Sequence, residues 1–447
     1  MDAPICEYVK RYAEKEPLRL HMPGHKGISF LGMESMDITE ITGADVLYHA
    51  EGIIRKSEEN AASLFGTGMT FYSAEGASLV IRGMLYLTAL YARRNGKKPR
   101  ILAARNAHKV FITASALLNI DVQWMYPQNG SDLVACRISA SELEAHLDES
   151  DEMPTAVYIT SPDYLGNIAD VKRLSEVCHQ RGVLLLVDNA HGAYLNFLPE
   201  SLHPIALGAD LCCDSAHKTL PVLTGGAYLH ISRHAESFFV ESAERALAMF
   251  ATTSPSYLIL QSLDMANVYL ASGYREKLKR AIALWDGVRE ELRNAGYCVI
   301  GDEPLKLTLL PKSYGYTGTE LAEILEKQNM FCEFFDQDHL VMMVSPEWGT
   351  PEAERVKSTL LAVPQKEPIR IIAPGIPVCR QVVSPNEAIY LDSVEIDASE
   401  SEGRIMASAS VSCPPAIPIV SLGERISCAA VDAMAYYGIT TISVIKD

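Results

Sequence analysis

Two polar residues, Asp188 and Lys218, carry the first sign of chemistry. Asp188 ends "VLLLV" (183 to 187), the most apolar strand-like run in the chain, and is followed by "NAHGAY". Lys218 stands in "DSAHKTLP", behind a second strand-like run and just after Ser215 and His217. In open α/β sheets ligands sit beyond the carboxyl ends of the strands, so polar residues at those ends face a ligand crevice. A lysine that can form a Schiff base with an aldehyde, paired with a carboxylate that keeps a pyridine nitrogen protonated, is the pairing of a pyridoxal 5'-phosphate (PLP) enzyme. Taken singly, Asp188 reads more readily as a helix cap and Lys218 as a solvated charge, so the pair needs a third element.

That element is "FYSAEGASLVIRGMLYLTALYARRNG" (71 to 96). An apolar lead-in meets Gly76, Ala77 and Ser78, and a helix follows that closes on Arg93, Arg94 and Gly96. The free N–H groups and positive dipole end of that helix would bind a phosphate. A fourth element is "RNAHK" (105 to 109), where His108 follows a strand and its ring could lie against a flat cofactor. "AHKT" (216 to 219) lacks the glycines of a P-loop. In "HMPGHKG" (21 to 27), Pro23 and Gly24 break the helix that would bring His21 and His25 to one metal. No metal site is expected.

These residues need a frame to hold them. From about residue 100, β-rich runs alternate with helical ones: "RILAARN" (100 to 106), "TAVYITS" (155 to 161), "VLLLVDN" (183 to 189), "ADLCCDS" (209 to 215) and "GGAYLHIS" (225 to 232), with a helix over 169 to 182. This pattern predicts an α/β protein with parallel strands joined by crossover helices. A long helical stretch follows from about 255. A smaller α/β pattern comes next, with strands near "LKLTLL" and "HLVMMVS", helices near 318 to 328 and 351 to 362, and a closing helix and strand "TTISVI". The expected division is an N-terminal arm and dimerisation segment (1 to 65), a cofactor-binding large domain (66 to 290) and a C-terminal small domain (291 to 447).

Composition narrows the class. With 48% hydrophobic and 21% charged residues, the 447-residue chain is of ordinary globular type. A net charge of -17 without a basic run argues against nucleic acid or an anionic membrane surface as partner. The apolar runs fall far short of the roughly 20 residues that span a bilayer, and the charged start lacks a secretory core. Ten scattered cysteines without CxxC spacing suit a reducing compartment, so a cytoplasmic location is expected.

With these motifs in hand, the chain resembles the bacterial ornithine/lysine/arginine decarboxylases, PLP enzymes of fold type I (the aspartate aminotransferase fold), in a short form without an N-terminal wing domain. "HMPGHKG", "DITEITGADVL" (37 to 47), "RNAHK", "TSPDYLGNIADV" (160 to 171), "VDNAHGAY" (187 to 194), "DSAHKTL" (214 to 220) and "TTSPSYLILQSLD" (252 to 264) follow in the family's order. "SPNEA" (384 to 388), "GRIMA" (403 to 407) and "CPPAIPIVSLGE" (413 to 424) look like its C-terminal module.

The resemblance implies a mostly parallel sheet flanked by helices, with a smaller α/β C-terminal domain. Lys218 is then the Schiff-base lysine, Asp188 the partner of the pyridine nitrogen and His108 the stacking ring. Gly76, Ala77, Ser78 and Ser215 hold the phosphate, Ala190 and His191 line the other side, and His217 sits near the scissile carboxylate or manages protons. Thr253 and Ser254 act in trans, which implies a homodimer with composite active sites or a larger assembly built from it. The implied reaction is decarboxylation of arginine, lysine or ornithine to an amine that feeds polyamine metabolism. Glu395 and Glu424 are candidate acidic partners for the distal cation of the substrate.

The chain departs from the family at Glu75, Gly76 and Ala77, where an NGT/S-type loop is usual, at Asn189 and Tyr194 in the DEAHGAH-type string, and at Cys413 and Ala416 near the end. An aminotransferase or lyase would use the same lysine and aspartate. A weakly active homologue that keeps PLP in a structural or regulatory role is the remaining alternative.

Overall fold

A computed structural model of the chain describes residues 1–127, 132, 134–408, 412–413 (backbone only) and 417–446. Pro414, Pro415 and Ala416 of the C-terminal motif therefore lie outside the described residues, as does the side chain of Cys413. The chain forms two compact units. One comprises Met1–Pro99, Thr155–Tyr158 and Val171–Arg275, the other Arg100–Pro154, Ile159–Asp170 and Glu276–Asp447.

The fold is mixed α/β with a mostly parallel seven-strand sheet. Its strands are β1 (Met69–Ser73), β2 (Arg100–Ala104), β3 (Asp121–Met125), β4 (Ala156–Thr160), β5 (Leu184–Asp188), β6 (Leu211–Asp214) and β7 (Ala227–Ile231). The five runs picked out in the sequence become β2 and β4 to β7. Two strands were not expected. β1 looked like a lead-in to the helix, and β3, "DVQWM", is half polar because two of its five residues are exposed.

Within the first unit the strands neighbour one another in the order β1-β7-β6-β5. β5 and β6 pair in parallel, whereas β7 is antiparallel to both β6 and β1. The sheet is thus mostly parallel, as expected, with β7 the strand that runs against its neighbours. Helix Gly76–Arg94 follows β1, with Arg93 and Arg94 in the last turn, where positive charge complements the helix dipole. Its Leu79, Val80, Met84 and Leu87 are fully buried, each removal from water contributing about 1.5–3 kcal/mol. The helix expected over 169 to 182 spans Val171–Gln180 and ends at Gly182, whose φ of +67 explains the glycine.

The N-terminal arm of the same unit is built by side chains that bond to its own backbone. Arg19 donates to the carbonyls of Glu34, Ser35 and Asp37. The Glu34 carboxylate accepts the N–H groups of Phe30, Leu31, Gly32 and Met33, which overcome the upward pull of burial and bring its pKa down to about 2. In "HMPGHKG", His21 meets the Tyr12 hydroxyl at 2.7 Å, and Lys26 donates to the His21 carbonyl. His25 lies 3.1 Å from Asp37 through Nε2 and accepts the Gly27 N–H at Nδ1. Gly27 is required there: its φ is +82, and a Cβ would come within 2.8 Å of the Arg19 guanidinium. The stretch is a non-helical, self-bonded arm that presents Leu18, Leu20, Ile28, Phe30 and Leu31 outward, each at least 65% exposed.

The second unit contains β2 and β3, paired in parallel, and a four-stranded antiparallel sheet. The latter runs in the order β10-β11-β9-β8, where β8 is Val299–Ile300, β9 Lys306–Leu309, β10 Phe334–Phe335 and β11 Leu340–Met343. Helices Gly318–Glu326 and Thr350–Leu361 accompany it, the first capped by Thr317 and Glu320 in a reciprocal capping box. Beyond it, strands Ser393–Asp397 and Thr441–Ile445 pair antiparallel, and Met406, Ile419, Met434 and Val444 belong to a buried apolar core. Among the described residues no helix is long and apolar enough to cross a membrane.

Candidate active site

The carboxyl ends of β5 and β6 bring the two residues of the initial pairing into one place. Asp188 and Cys213 are register partners at the ends of these parallel strands. Alternation along a strand turns their side chains to one face of the sheet and those of Asn189 and Asp214 to the other. On the first face the Asp188 carboxylate is buried and accepts the Tyr158 hydroxyl (3.1 Å), the Ala190 N–H (3.2 Å) and the Cys213 thiol (3.4 Å). Burial pushes both the tyrosine hydroxyl and the thiol far up, so each stays protonated and can donate. A carboxylate held by three donors keeps acceptor capacity for an N–H from a ring nitrogen.

Lys218 lies in the short helix Ala216–Thr219, for which Ser215 is the N-terminal residue. Its Nζ is 3.0 Å from Nε2 of the buried His191. His217 is fixed by its ring: Nδ1 faces the Gly226 carbonyl at 2.9 Å, and since a carbonyl only accepts, the proton of the neutral ring resides on Nδ1. Nε2 is then the proton-accepting nitrogen.

At the proposed phosphate site, the Gly76 N–H is already committed to the Gly225 carbonyl at 2.6 Å. The amides of Ala77 and Ser78 are the next in the first helical turn, where N–H groups lack intrahelical acceptors. A Cβ on Gly76 would meet nothing within 4 Å, which leaves open space beside these amides. Glu75, the departure from the family loop, turns to accept the Thr252 N–H at 2.8 Å. That bond anchors the exposed loop of Thr253 and Ser254 to the same chain.

His108 belongs to the second unit. It precedes helix Lys109–Leu118, and its Nδ1 accepts the Val110 N–H at 3.2 Å, which orients the ring and puts the proton on Nε2. In the same unit Arg105 donates to the carbonyls of Pro418 and Ile419 and lies 3.6 Å from the Glu424 carboxylate. Glu424 has 0% exposure and also accepts the Ser421 N–H, so it is no receptor for a substrate cation, contrary to the sequence reading. Glu395 stands on the exposed strand Ser393–Asp397. His25 and Lys26 are spent within the arm.

Sequence reasoning missed several residues around the lysine. Tyr158 reads as an ordinary core residue of β4. Asn189, Asp214, His203 and His230 form a buried cluster on the opposite face, the three last offering ligand atoms within 4.8 Å of one another. The strict alternation of "LCCD" was the available signal for the two faces.

A lysine amine, a buried multiply bonded carboxylate at a neighbouring strand end, and a helix start with open amides together fit pyridoxal phosphate, and the protein is an enzyme of the PLP-dependent, mostly parallel α/β class. Residues 3–302 match the major domain of the Orn/Lys/Arg decarboxylases, and the chain belongs to that family. It is 29% identical to an arginine decarboxylase of Bacillus subtilis over 95% of this chain and 91% of that one. An arginine decarboxylase of Halalkalibacterium halodurans is 30% identical with the same coverage. In fold it is similar to the lysine decarboxylase LdcF of Francisella novicida (TM-score 0.81, 16% identity, 99% of this chain and 81% of that chain). The constitutive lysine decarboxylase of E. coli gives a TM-score of 0.77 at 17% identity, covering 100% of this chain and 82% of that one.

Proposed function

We propose that this decarboxylase of basic amino acids acts on arginine, with Lys218 as the lysine that holds the cofactor. The observation that carries the reading is the 3.0 Å contact of Lys218 with His191, beside the strand ends that bury Asp188. The names of the two relatives matched over 91% of their length favour arginine over lysine and ornithine.

When bound, the cofactor supplies an electron sink for the pair left on Cα as the carboxylate departs. Asp188, held in position by Tyr158 and Cys213, would receive the ring nitrogen. Ala77, Ser78 and Ser215 would hold the phosphate, with Gly76 keeping the space beside it open. Ala190 and His191 would line the cofactor beside Lys218, and His108 is assigned to the cofactor by the family resemblance alone. His217 moves the proton that replaces the lost carboxylate, by way of Nε2.

Thr253 and Ser254 are exposed on their loop, where a second copy of the chain can meet them. The outward apolar residues of the arm give that copy a surface to cover, so we read the protein as a homodimer with composite sites. By function we divide the chain into an arm (1 to 65), a cofactor domain (66 to 290) and a C-terminal domain (291 to 447), a division that differs from the two compact units. The nine described cysteines are all unbridged, which supports a reducing cytoplasm. We assign the product amine to polyamine metabolism.

The test is incubation of PLP-loaded protein with arginine, lysine and ornithine while carbon dioxide and amine are measured. Carbon dioxide from arginine above the other two is expected. Keto acid formed only with added pyruvate, and no gas, would replace decarboxylation by amino transfer.

A further inference from the structure

Asp214 closes β6 one residue ahead of Ser215, and its side chain is 0% exposed. Asn189 Nδ2 lies 2.6 Å from Oδ1, while His203 Nε2 and His230 Nε2 lie 3.0 and 3.1 Å from Oδ2. Two imidazoles and a carboxylate at such distances also have the composition of a transition-metal site. The tautomers decide between the two. His203 Nδ1 accepts the Ile205 N–H at 3.3 Å, so the proton of its ring is on Nε2 and points at Asp214. A metal at Nε2 would leave that ring with no proton on either nitrogen. His230 Nδ1 faces the Thr70 hydroxyl at 2.8 Å, and burial, which disfavours its charged form, keeps Nε2–H as a neutral donor. The Asp214 carboxyl is pushed up by burial and down by the two imidazoles bonded to it, and the second effect prevails. The cluster is a buried carboxylate held by three N–H donors and, at 3.5 Å, the Cys212 thiol.

Asn189 is fixed at three points: its N–H donates to the Cys213 carbonyl, its carbonyl accepts the Gly192 N–H, and its amide meets Asp214. Two residues on is His191, which touches Lys218; four residues beyond Asp214 is Lys218 itself. The chain therefore closes a ring, from Asn189 through Ala190 to His191, across to Lys218, back through His217, Ala216 and Ser215 to Asp214, and across to Asn189. One non-covalent link of this ring is His191 to Lys218 at 3.0 Å, and the other is Asn189 to Asp214 at 2.6 Å. Gly192 confirms how closely the ring is packed, since a Cβ there would meet Asn189 Oδ1 at 2.0 Å.

We propose that Asp214 and Asn189 are positioning residues that hold His191 and Asp188 in register with Lys218. The proposal rests on the reading of Lys218 as the cofactor lysine. The Asn189–Asp214 link holds the turn of residues 189 to 191 in place independently of the Lys218–His191 contact.

The experiment compares wild type, Asn189→Ala, Asp214→Asn, the double variant and Lys218→Ala. Each apo protein is titrated with PLP while the visible band of bound cofactor, the pH at which that band changes and the thermal midpoint are followed. Asn189→Ala leaves Asp214 its two histidine donors, so it is expected to fold, to bind PLP more weakly, to shift the pH midpoint of the band and to lower kcat/KM about a hundred-fold. The double variant is expected to be no worse than Asp214→Asn, because the two act through one bond. If Asp214→Asn does not fold, Asn189→Ala alone decides. A wild-type band, pH midpoint and kcat/KM in Asn189→Ala would overturn the proposal, as would independent, additive losses in the double variant. Stoichiometric zinc or another transition metal in the purified wild type would overturn it in favour of a metal centre. A visible band that survives in Lys218→Ala would instead reject the cofactor-lysine reading itself, which separates the two failures.

Discussion

Tyr158 donates its hydroxyl to Asp188 across 3.1 Å from a fully buried position on β4. A phenol held protonated by burial is a fixed donor to this carboxyl group, and its removal leaves one carboxyl oxygen without that donor. Tyr158→Phe is expected to cost about 1.5 kcal/mol, roughly a ten-fold loss in kcat/KM. Steady-state kinetics with saturating PLP check this, and a change confined to the substrate KM would speak against it.

Glu75 separates a charge effect from a tether effect. Its carboxylate stands at the start of helix Gly76–Arg94, beside the amides proposed to hold phosphate, and also holds the Thr252 N–H. Glu75→Gln keeps the acceptor and removes the negative charge, so PLP affinity is expected to rise about two- to five-fold. Glu75→Ala also releases the loop of Thr253 and Ser254, and catalysis is expected to fall although PLP still binds. Equilibrium PLP titration of both variants distinguishes the effects.

Glu58 makes stability depend on pH in the alkaline direction. Burial raises its pKa to about 8, outweighing the Tyr72 N–H it accepts and the Arg55 guanidinium at 3.6 Å. A carboxyl with a raised folded pKa binds more protons when native than when unfolded, so its contribution is present below the unfolded value and is lost as pH rises through about 8. Glu58→Gln mimics the protonated form. Its thermal midpoint is expected to match wild type near pH 5 and to exceed it increasingly toward pH 8. An advantage that shrinks with rising pH would contradict this.

Arg105 and Glu424 test the reassignment of the C-terminal acid. Arg105→Ala strands a fully buried carboxylate and frees the carbonyls of Pro418 and Ile419, and is expected to destabilise by about 3–5 kcal/mol in denaturant unfolding. Glu424→Gln is expected to leave the KM for arginine unchanged, whereas a substrate receptor would raise it sharply.

The placement of Asp188 at a strand end was legible because polar residues at the ends of strongly apolar strands have few structural uses, as Asp188 after "VLLLV" shows. The small α/β pattern after 300 was legible from period and capping, Thr317 with Glu320 being a visible start signal. The surroundings of the site were less so. Tyr158 resembles any aromatic core residue until its hydroxyl is seen to end on Asp188. His203 and His230 come from separate turns and strands, and only tertiary packing brings both to Asp214. The direction of β7 was hidden for the same reason: a run such as "AYLHI" records burial on both faces but not which way its neighbours run. Glu424 was misread because a carboxylate late in the chain shows nothing of Arg105, more than 300 residues earlier.

The Glu34 carboxylate that gathers four backbone N–H groups does more than shape a loop. It stiffens the segment that carries Phe30 and Leu31, so these side chains cannot fold back to hide from water. Under the homodimer reading, dilution becomes a stress for this protein. As concentration falls, mass action exposes a preformed sticky loop, and shelf life would depend on how many molecules share the tube as well as on temperature.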